Sequence, residues 1–213
     1  MGSEYSIKRL DKREKSSFVA LMVSSFEKDP LFVYLFDDGD HNRFQYRARA
    51  FVSFLFDKSF FLLEEIWGIY DKGRLVGAYI IELPNVKRTD KIIGGLLLLS
   101  GIVKLMTKLS LSTIAKLNKY MKVSRSHVKN GRFHYLIMIG VLPAEQGKGI
   151  GTMLIYHILK QVNEEQNSNG VALDTENQNN LDYYKKIGFT LNSEYQFGEI
   201  TIYRMKITSV CLI

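Results

Sequence analysis

The chain has one cysteine, Cys211, and three prolines in 213 residues. A single thiol cannot build an intramolecular disulfide framework, and it fits a reducing compartment. Its place, third from the end, makes no prenylation box. With so few prolines, no low-complexity stretch and no internal repeat, there is no candidate linker, and residues 1–213 read as one domain. Long apolar runs are missing as well: the longest, Ile92 to Val103, stops at Lys104 and is too short to span a bilayer. No signal peptide is recognised, and the expectation is a soluble, cytoplasmic protein without stable membrane insertion. Met1-Gly2-Ser3-Glu4-Tyr5-Ser6 satisfies the short myristoylation pattern, which chance matches often do.

Acidic side chains are in deficit, 22 Asp and Glu against 29 Lys and Arg, for a net charge of +7. Such an excess suits nucleic acid, an acidic membrane or an anionic cofactor. The basic residues are spread along the chain, with a modest cluster at Lys8, Arg9, Lys12, Arg13 and Lys15. No nucleic-acid recognition motif accompanies them, so nucleic acid is not an expected partner. What is present is a 46% hydrophobic composition, enough to bury a substantial core.

The most informative stretch is Val141-Leu142-Pro143-Ala144-Glu145-Gln146-Gly147-Lys148-Gly149-Ile150-Gly151-Thr152. It follows an apolar run that reads as a buried strand, Phe133 to Val141, and leads into an amphipathic helix carrying Met153, Leu154, Tyr156, Ile158, Leu159 and Val162. A strand, a glycine-rich turn and a helix N-terminus leave several backbone N–H groups unpaired and aim a helix dipole at one place, which should bind phosphate. The dinucleotide pattern G-x-G-x-x-G fails, because Thr152 or Leu154 stands where its last glycine belongs. The P-loop fails at both ends, with Leu142 in place of its first glycine and Gly149 in place of Ser or Thr. Gln146, Gly149 and Gly151 fit Q-x-x-G-x-G instead. Further on comes Leu173-Asp174-Thr175-Glu176-Asn177, then a helical stretch ending Tyr184-Lys185-Lys186-Ile187-Gly188-Phe189.

Both motifs, in this order, resemble the GNAT superfamily of N-acetyltransferases, clearly over the second half of the chain and elsewhere only in the pattern of strands and helices. The resemblance implies an α/β (α+β) fold, a mixed, mostly antiparallel sheet flanked by helices, with acetyl-CoA as co-substrate. On that reading the pyrophosphate lies on the N–H groups of Gly147, Lys148, Gly149, Ile150, Gly151 and Thr152, and Gln146 also belongs to the cofactor site. The pantetheine arm pairs with the strand at Ile139 and Val141, where family strands diverge, and an N–H near Ile139 stabilises the oxyanion. Asn177 bonds the arm or caps the next helix. Tyr184, in Y-x-x-x-G-F, is the candidate general acid and a cofactor contact, with a core aromatic as the plainer alternative. Tyr183 reads as packing, unless a one-residue misplacement exchanges the two.

The general base is not legible. Tyr135 and Ile137 carry none, and His134 reads as structural. Glu82, at the end of the strand Arg74 to Leu83, is the best carboxylate, with a solvated strand end as the alternative. That strand pairs with Glu65 to Tyr70 in a hairpin. Tyr5 to Leu10 reads as a strand, Asp11 as the cap of a helix with Phe18, Leu21 and Met22, and Phe44 to Leu55 as part of a second helix with core aromatics. Residues 85–130 read as a basic amphipathic helical insertion, interrupted at Ser110 and Ser112-Thr113. It presents Leu96 to Leu99, Val103, Met106, Leu109, Ile114, Leu117 and Met121 on one side and lysines on the other. A lid, an ordinary cover and a surface for a membrane or partner all remain open. The expectation is an N-acetyltransferase acting on a primary amine of a small molecule or peptide, with no metal. The alternative is a non-catalytic acyl-CoA sensor or scaffold, and a homodimer is among the assemblies the sequence allows.

Overall fold

The computed structural model describes residues 5–84, 88–124, 132–165 and 168–208. Cys211, Asn167 and the first four residues of the myristoylation pattern lie outside them, as do parts of the insertion. Among the described residues, strands β1 (Tyr5–Arg9), β2 (Glu65–Asp71), β3 (Arg74–Glu82), β4 (Phe133–Val141), β5 (Gly170–Thr175), β6 (Thr190–Phe197) and β7 (Ile200–Thr208) form one sheet. Its order is β1-β2-β3-β4-β5-β7-β6, and only β4 and β5 run parallel. This is the mixed, mostly antiparallel sheet that the family resemblance implies.

Helices cover both faces. α1 (Lys15–Ser25), α2 (Pro30–Phe36), α3 (His41–Phe61) and α6 (Leu111–Val123) lie on one side, α7 (Ile150–Glu164) and α8 (Asn180–Ile187) on the other. Short polar residues set the entries. Asp11 and Glu14 form a capping box before α1, Asp29 accepts from the N–H groups of Leu31 and Phe32 at the start of α2, and Asp40 caps α3. The aromatics of α1 to α3, Phe18, Phe32, Phe36, Phe44 and Phe56 among them, pack with Ala78, Ile80 and Met138 into one core. Leu154, Ile155, Ile158 and Leu159 of α7 meet Val76, Tyr79, Leu136, Val171 and Met205 in a second. Burying such side chains contributes about 1.5–3 kcal/mol each.

The insertion departs from the expected pattern. It forms α4 (Arg88–Leu97), α5 (Leu99–Met106) and α6, and its breaks fall at Leu98 and at 107–110. Ser112 and Thr113 lie within α6, because Ser110 caps that helix and Thr113 Oγ1 donates to the Leu35 carbonyl. Nor is the apolar side buried throughout: Leu98, Leu109 and Leu117 are, whereas Leu96, Leu97, Leu99, Val103, Met106 and Met121 are exposed. Lys116 and Lys119 lean over the rings of Tyr34 and Phe197. Periodicity shows that a helix has an apolar side without showing what that side meets. Among the described residues no helix is long and apolar enough to cross a membrane.

One irregularity positions the site. Ile80 of β3 faces Met138 of β4 and Ile81 faces Leu136, so Ile137 is an extra, bulged residue. The β4–β5 ladder ends at the same place, its last pair being Leu136 with Leu173. Beyond it β4 continues along β3 while β5 follows β7. Gly140, in this free-standing part, lets α1 come close: a Cβ there would stand 2.8 Å from Met22 Sδ and 3.1 Å from Ser25 Cβ. Gly140→Val should therefore push α1 from the sheet and cost about 1–3 kcal/mol, read as a lower denaturant midpoint at unchanged m-value. An unaltered midpoint would show that α1 yields freely.

Candidate active site

The main-chain geometry follows from the register. Leu142 N–H bonds to the Val76 carbonyl, so alternation along β4 turns Gly140 and Met138 toward β3 and leaves Ile139 and Val141 facing the side that β5 has left. The Val141 carbonyl is taken by Ser25 Oγ at 2.9 Å and Gln146 Nε2 at 3.2 Å. The N–H groups of both residues and the Ile139 carbonyl lie past the last β4–β5 pair.

This edge runs into the glycine loop. Pro143–Glu145 make one 3-10 turn, after which Gly147 and Gly149 both adopt positive φ, 79° and 80°. The left-handed Gly149 opens α7 with no side-chain cap, and the first helical bond joins Met153 N–H to the Gly149 carbonyl. The N–H groups of Ile150, Gly151 and Thr152 precede that bond. A Cβ on Gly151 would stand 3.2 Å from the Tyr183 hydroxyl, so glycine keeps the first turn of α7 against α8.

A cleft of about 690 Å³ joins these elements, and Ile139, Val141, Gln146, Gly147, Gly149, Ile150, Gly151, Thr152, Asn177 and Tyr184 all line it, together with Asp29 and Tyr183. Lys148 and Glu82 do not. Lys148 pairs with Glu145 at 2.7 Å, and Arg74 reaches the same carboxylate from β3. The hydrogen bond from Lys148, backed by Arg74, holds the Glu145 carboxyl below its usual range. These contacts tie the loop to the sheet and leave its end net positive. Glu82 stands opposite Tyr135 at the far end of β3. Asn177 Oδ1 accepts from Asn179 N–H at the entry to α8. His134 is buried and bonded to Ser168 at 2.9 Å and Glu165 at 2.8 Å, a structural role, as read from the sequence.

Tyr184 is packed between Tyr183 and Phe189, and burial raises its pKa, with the nearby Tyr183, Asp29 and Glu176 adding to the effect. Tyr183 lies beside Thr152 at 3.5 Å, too long for more than a weak bond.

A group of acids escaped the sequence reading. Glu176, just past the end of β5 and mostly withdrawn from solvent, accepts a 2.9 Å bond from the hydroxyl of Tyr120 on α6. Burial raises its pKa to about 8, and the charges of Asp29 and Asp174 push the same way while Tyr120 opposes. Asp29 is raised to about 6 by burial, against the two N–H groups it caps. The only signal in the sequence was an acid placed between β5 and Asn177. Its partner is 56 positions upstream, in the insertion.

Fold and cleft together fit an acyl-transferring enzyme. The chain belongs to the acetyltransferase (GNAT) family, whose model matches residues 25–189. Acetyl-CoA is the co-substrate of that family. No curated protein matches the sequence. Among solved structures it is similar to one described as histone acetyltransferase HPA2 and related acetyltransferase, from Corynebacterium glutamicum. Identity is 15% over 96% of each chain, with a TM-score of 0.69. It is similar also to the ribosomal-protein-S18-alanine N-acetyltransferase of Escherichia coli, 11% identical over 96% of this chain and 94% of that one, TM-score 0.53. A GNAT family acetyltransferase from Brucella melitensis, in complex with acetyl-CoA, is 13% identical over 97% and 89%, TM-score 0.50. At these identities the likeness is one of fold.

The raised carboxyls have a thermodynamic consequence. Folded Glu176 keeps its proton up to about 8 from an ordinary 4.5, and Asp29 up to about 6 from 3.8. The folded state thus binds more protons than the unfolded chain in that window, and the associated stability is full at low pH and lost as pH rises through about 8. Glu176→Gln cannot ionise. Its Tm should gain on the native protein by several degrees between pH 5 and pH 9, and a gap independent of pH would contradict the burial of Glu176.

Proposed function

We propose that the chain transfers the acetyl group of acetyl-CoA directly to a primary amine of a small molecule or peptide, within one ternary complex. The observation that carries this reading is the free edge of β4 at Ile139 and Val141, which leads into the uncapped start of α7 inside the same cleft as Tyr184. The donors present suit the ligand. The N–H groups of Ile150, Gly151 and Thr152, with Gly147 and Gly149 leaving room, would hold the diphosphate, and the edge of β4 would pair with the amide-bearing arm as an added strand does. Arg74 and Lys148, shared with Glu145, lend this end a positive field.

Acetyl-CoA supplies an acetyl thioester already activated for attack. An N–H near Ile139 donates to the carbonyl oxygen as negative charge grows there. The C–N bond forms, and the oxyanion collapses as the C–S bond breaks. Tyr184, kept protonated by burial, donates to the departing sulfur, and the second N–H proton of the newly bonded nitrogen restores Tyr184. Glu176 is the base in this reading, in place of Glu82. An ordinary carboxyl near ~4.3 lies about 6 units below an amine near ~10.4, some 8 kcal/mol uphill for proton transfer. With a pKa raised to about 8, Glu176 shortens that gap to about 2 units, or roughly 3 kcal/mol. The proton lost by the ammonium goes to Glu176, and Tyr120 positions the carboxylate.

Thiol release from acetyl-CoA across a panel of amines tests the activity. Binding of acetyl-CoA without acetylation of any amine would leave the non-catalytic sensor. Tyr184→Phe should lower kcat about 100-fold or more with acetyl-CoA affinity nearly unchanged. Glu176→Gln should lower kcat/KM by about 100-fold or more and remove the limb of the pH profile that rises toward pH 8 as the carboxyl deprotonates. A Glu176→Gln enzyme with the native rate and profile would take Glu176 out of the mechanism.

A further inference from the structure

α4 and α5 are turned inside out relative to an ordinary surface helix. Their closest approaches to α3 are at glycines: a Cβ on Gly94 would stand 2.0 Å from the Phe61 carbonyl oxygen, and one on Gly101 would lie 3.6 Å from the Phe54 ring. Leu105 packs against the core beside them, and Leu98, at the break between the two helices, is buried. The large aliphatic side chains point the other way. Leu96 is 64% exposed and Val103 61%, with Ile92, Ile93, Leu99 and Met106 beside them on one continuous ridge. A soluble chain gains nothing by showing water this much contiguous aliphatic surface, and such ridges mark places of contact.

A basic groove runs beside the ridge. Between α3 and α5 lies a cavity of about 410 Å³ floored by Phe54, Phe61 and Leu105. Its rim carries Lys12, Lys15, Lys104 and Lys108 against one acid, Asp57, which Lys15 engages at 2.6 Å. The Lys12 ammonium lies over the rings of Phe60 and Phe61 and that of Lys108 over the ring of Tyr46, so both charges sit at the edge of apolar surface. From residue 88 to 108 the sequence holds four basic residues and one acid, Asp90.

We infer that this face docks on an anionic phospholipid bilayer, the aliphatic ridge of α4 and α5 lying in the headgroup and acyl boundary and the groove lysines meeting lipid phosphates. Charge selects this occupant. A second copy, joined face to face, would set the same lysine rim against itself, whereas an anionic membrane offers apolar depth and negative charge in the same plane. The attachment is peripheral and independent of acetyl transfer.

Cosedimentation with vesicles tests it directly, using phosphatidylcholine alone and phosphatidylcholine mixed with phosphatidylglycerol. The full chain should partition onto the anionic vesicles about tenfold or more better than onto neutral ones at ~0.1 M salt, and lose most of that advantage at ~1 M, where the screening length falls from about 10 Å to 3 Å. The Leu96→Glu, Val103→Glu double variant should abolish binding while keeping the native circular dichroism and Tm, since both side chains are exposed. Replacing Lys104 and Lys108 by Ser should weaken it about tenfold. Failure to bind anionic vesicles, equal binding to both compositions, or undiminished binding by the double variant would each overturn the inference. So would a dimer in sedimentation velocity that the double variant abolishes with no vesicle binding by the native chain, which would make the ridge a contact between copies.

Discussion

The bulge at Ile137 is the constraint on which the site depends. With one residue more than β3 can match, β4 bends where its ladder to β5 stops, and the two strands part around a wedge of space. Buried, an unpaired backbone group costs about 1–3 kcal/mol, so the N–H groups of Ile139 and Val141 are tolerable only where water or a ligand reaches them. The parting holds because each strand is committed elsewhere, β4 to β3 as far as Val141 and β5 to β7 along its whole length. Separate cores on the two faces anchor α1 and α7 to either side of the gap. Ser25 then ties the end of α1 to the Val141 carbonyl, and the opening becomes a cleft with fixed walls.

What could be read from the sequence was local. The left-handed turns at Gly149 and Gly188, the bounds of β4 and the start of α7 depend on neighbouring residues, and the motifs that carried the family resemblance lie on those elements. The acid group was illegible for the opposite reason. Glu176 is an ordinary polar residue until α6 brings Tyr120 over it and the turn before α2 brings Asp29 near, and no pattern in sequence encodes that meeting. Lys148 shows the reverse case: its place in the glycine loop suggested a direct phosphate contact, but Glu145 lies in the same turn and claims its ammonium group. The insertion misled through its period. A repeat of leucines says that one side is apolar, yet Gly94 and Gly101 are what come closest to α3, and Leu96, Leu97 and Leu99 are left outside while Leu98, Leu109 and Leu117 are buried.

The cleft is electrically polar, and this bears on how two substrates of opposite charge can share it. At one end the start of α7 and the pair Arg74 and Lys148, only partly offset by Glu145, favour an anion. Asp29 lines the cleft as well, and its charge, with that of Asp174, adds to the burial that raises the proton affinity of Glu176. An ammonium group entering there would relieve the repulsion and lower that proton affinity, making Glu176 ionise as its partner arrives. On the proposed mechanism Glu176 would leave its protonated resting form only when a cation is present, and the substrate itself would arm it as a base. Tyr184, which lines the same cleft, feels Asp29 and Glu176 as a further reason to keep its proton. In the proposed reaction the positive field at the start of α7 would favour the phosphate-bearing donor, and the carboxyl of Asp29 an amine acceptor.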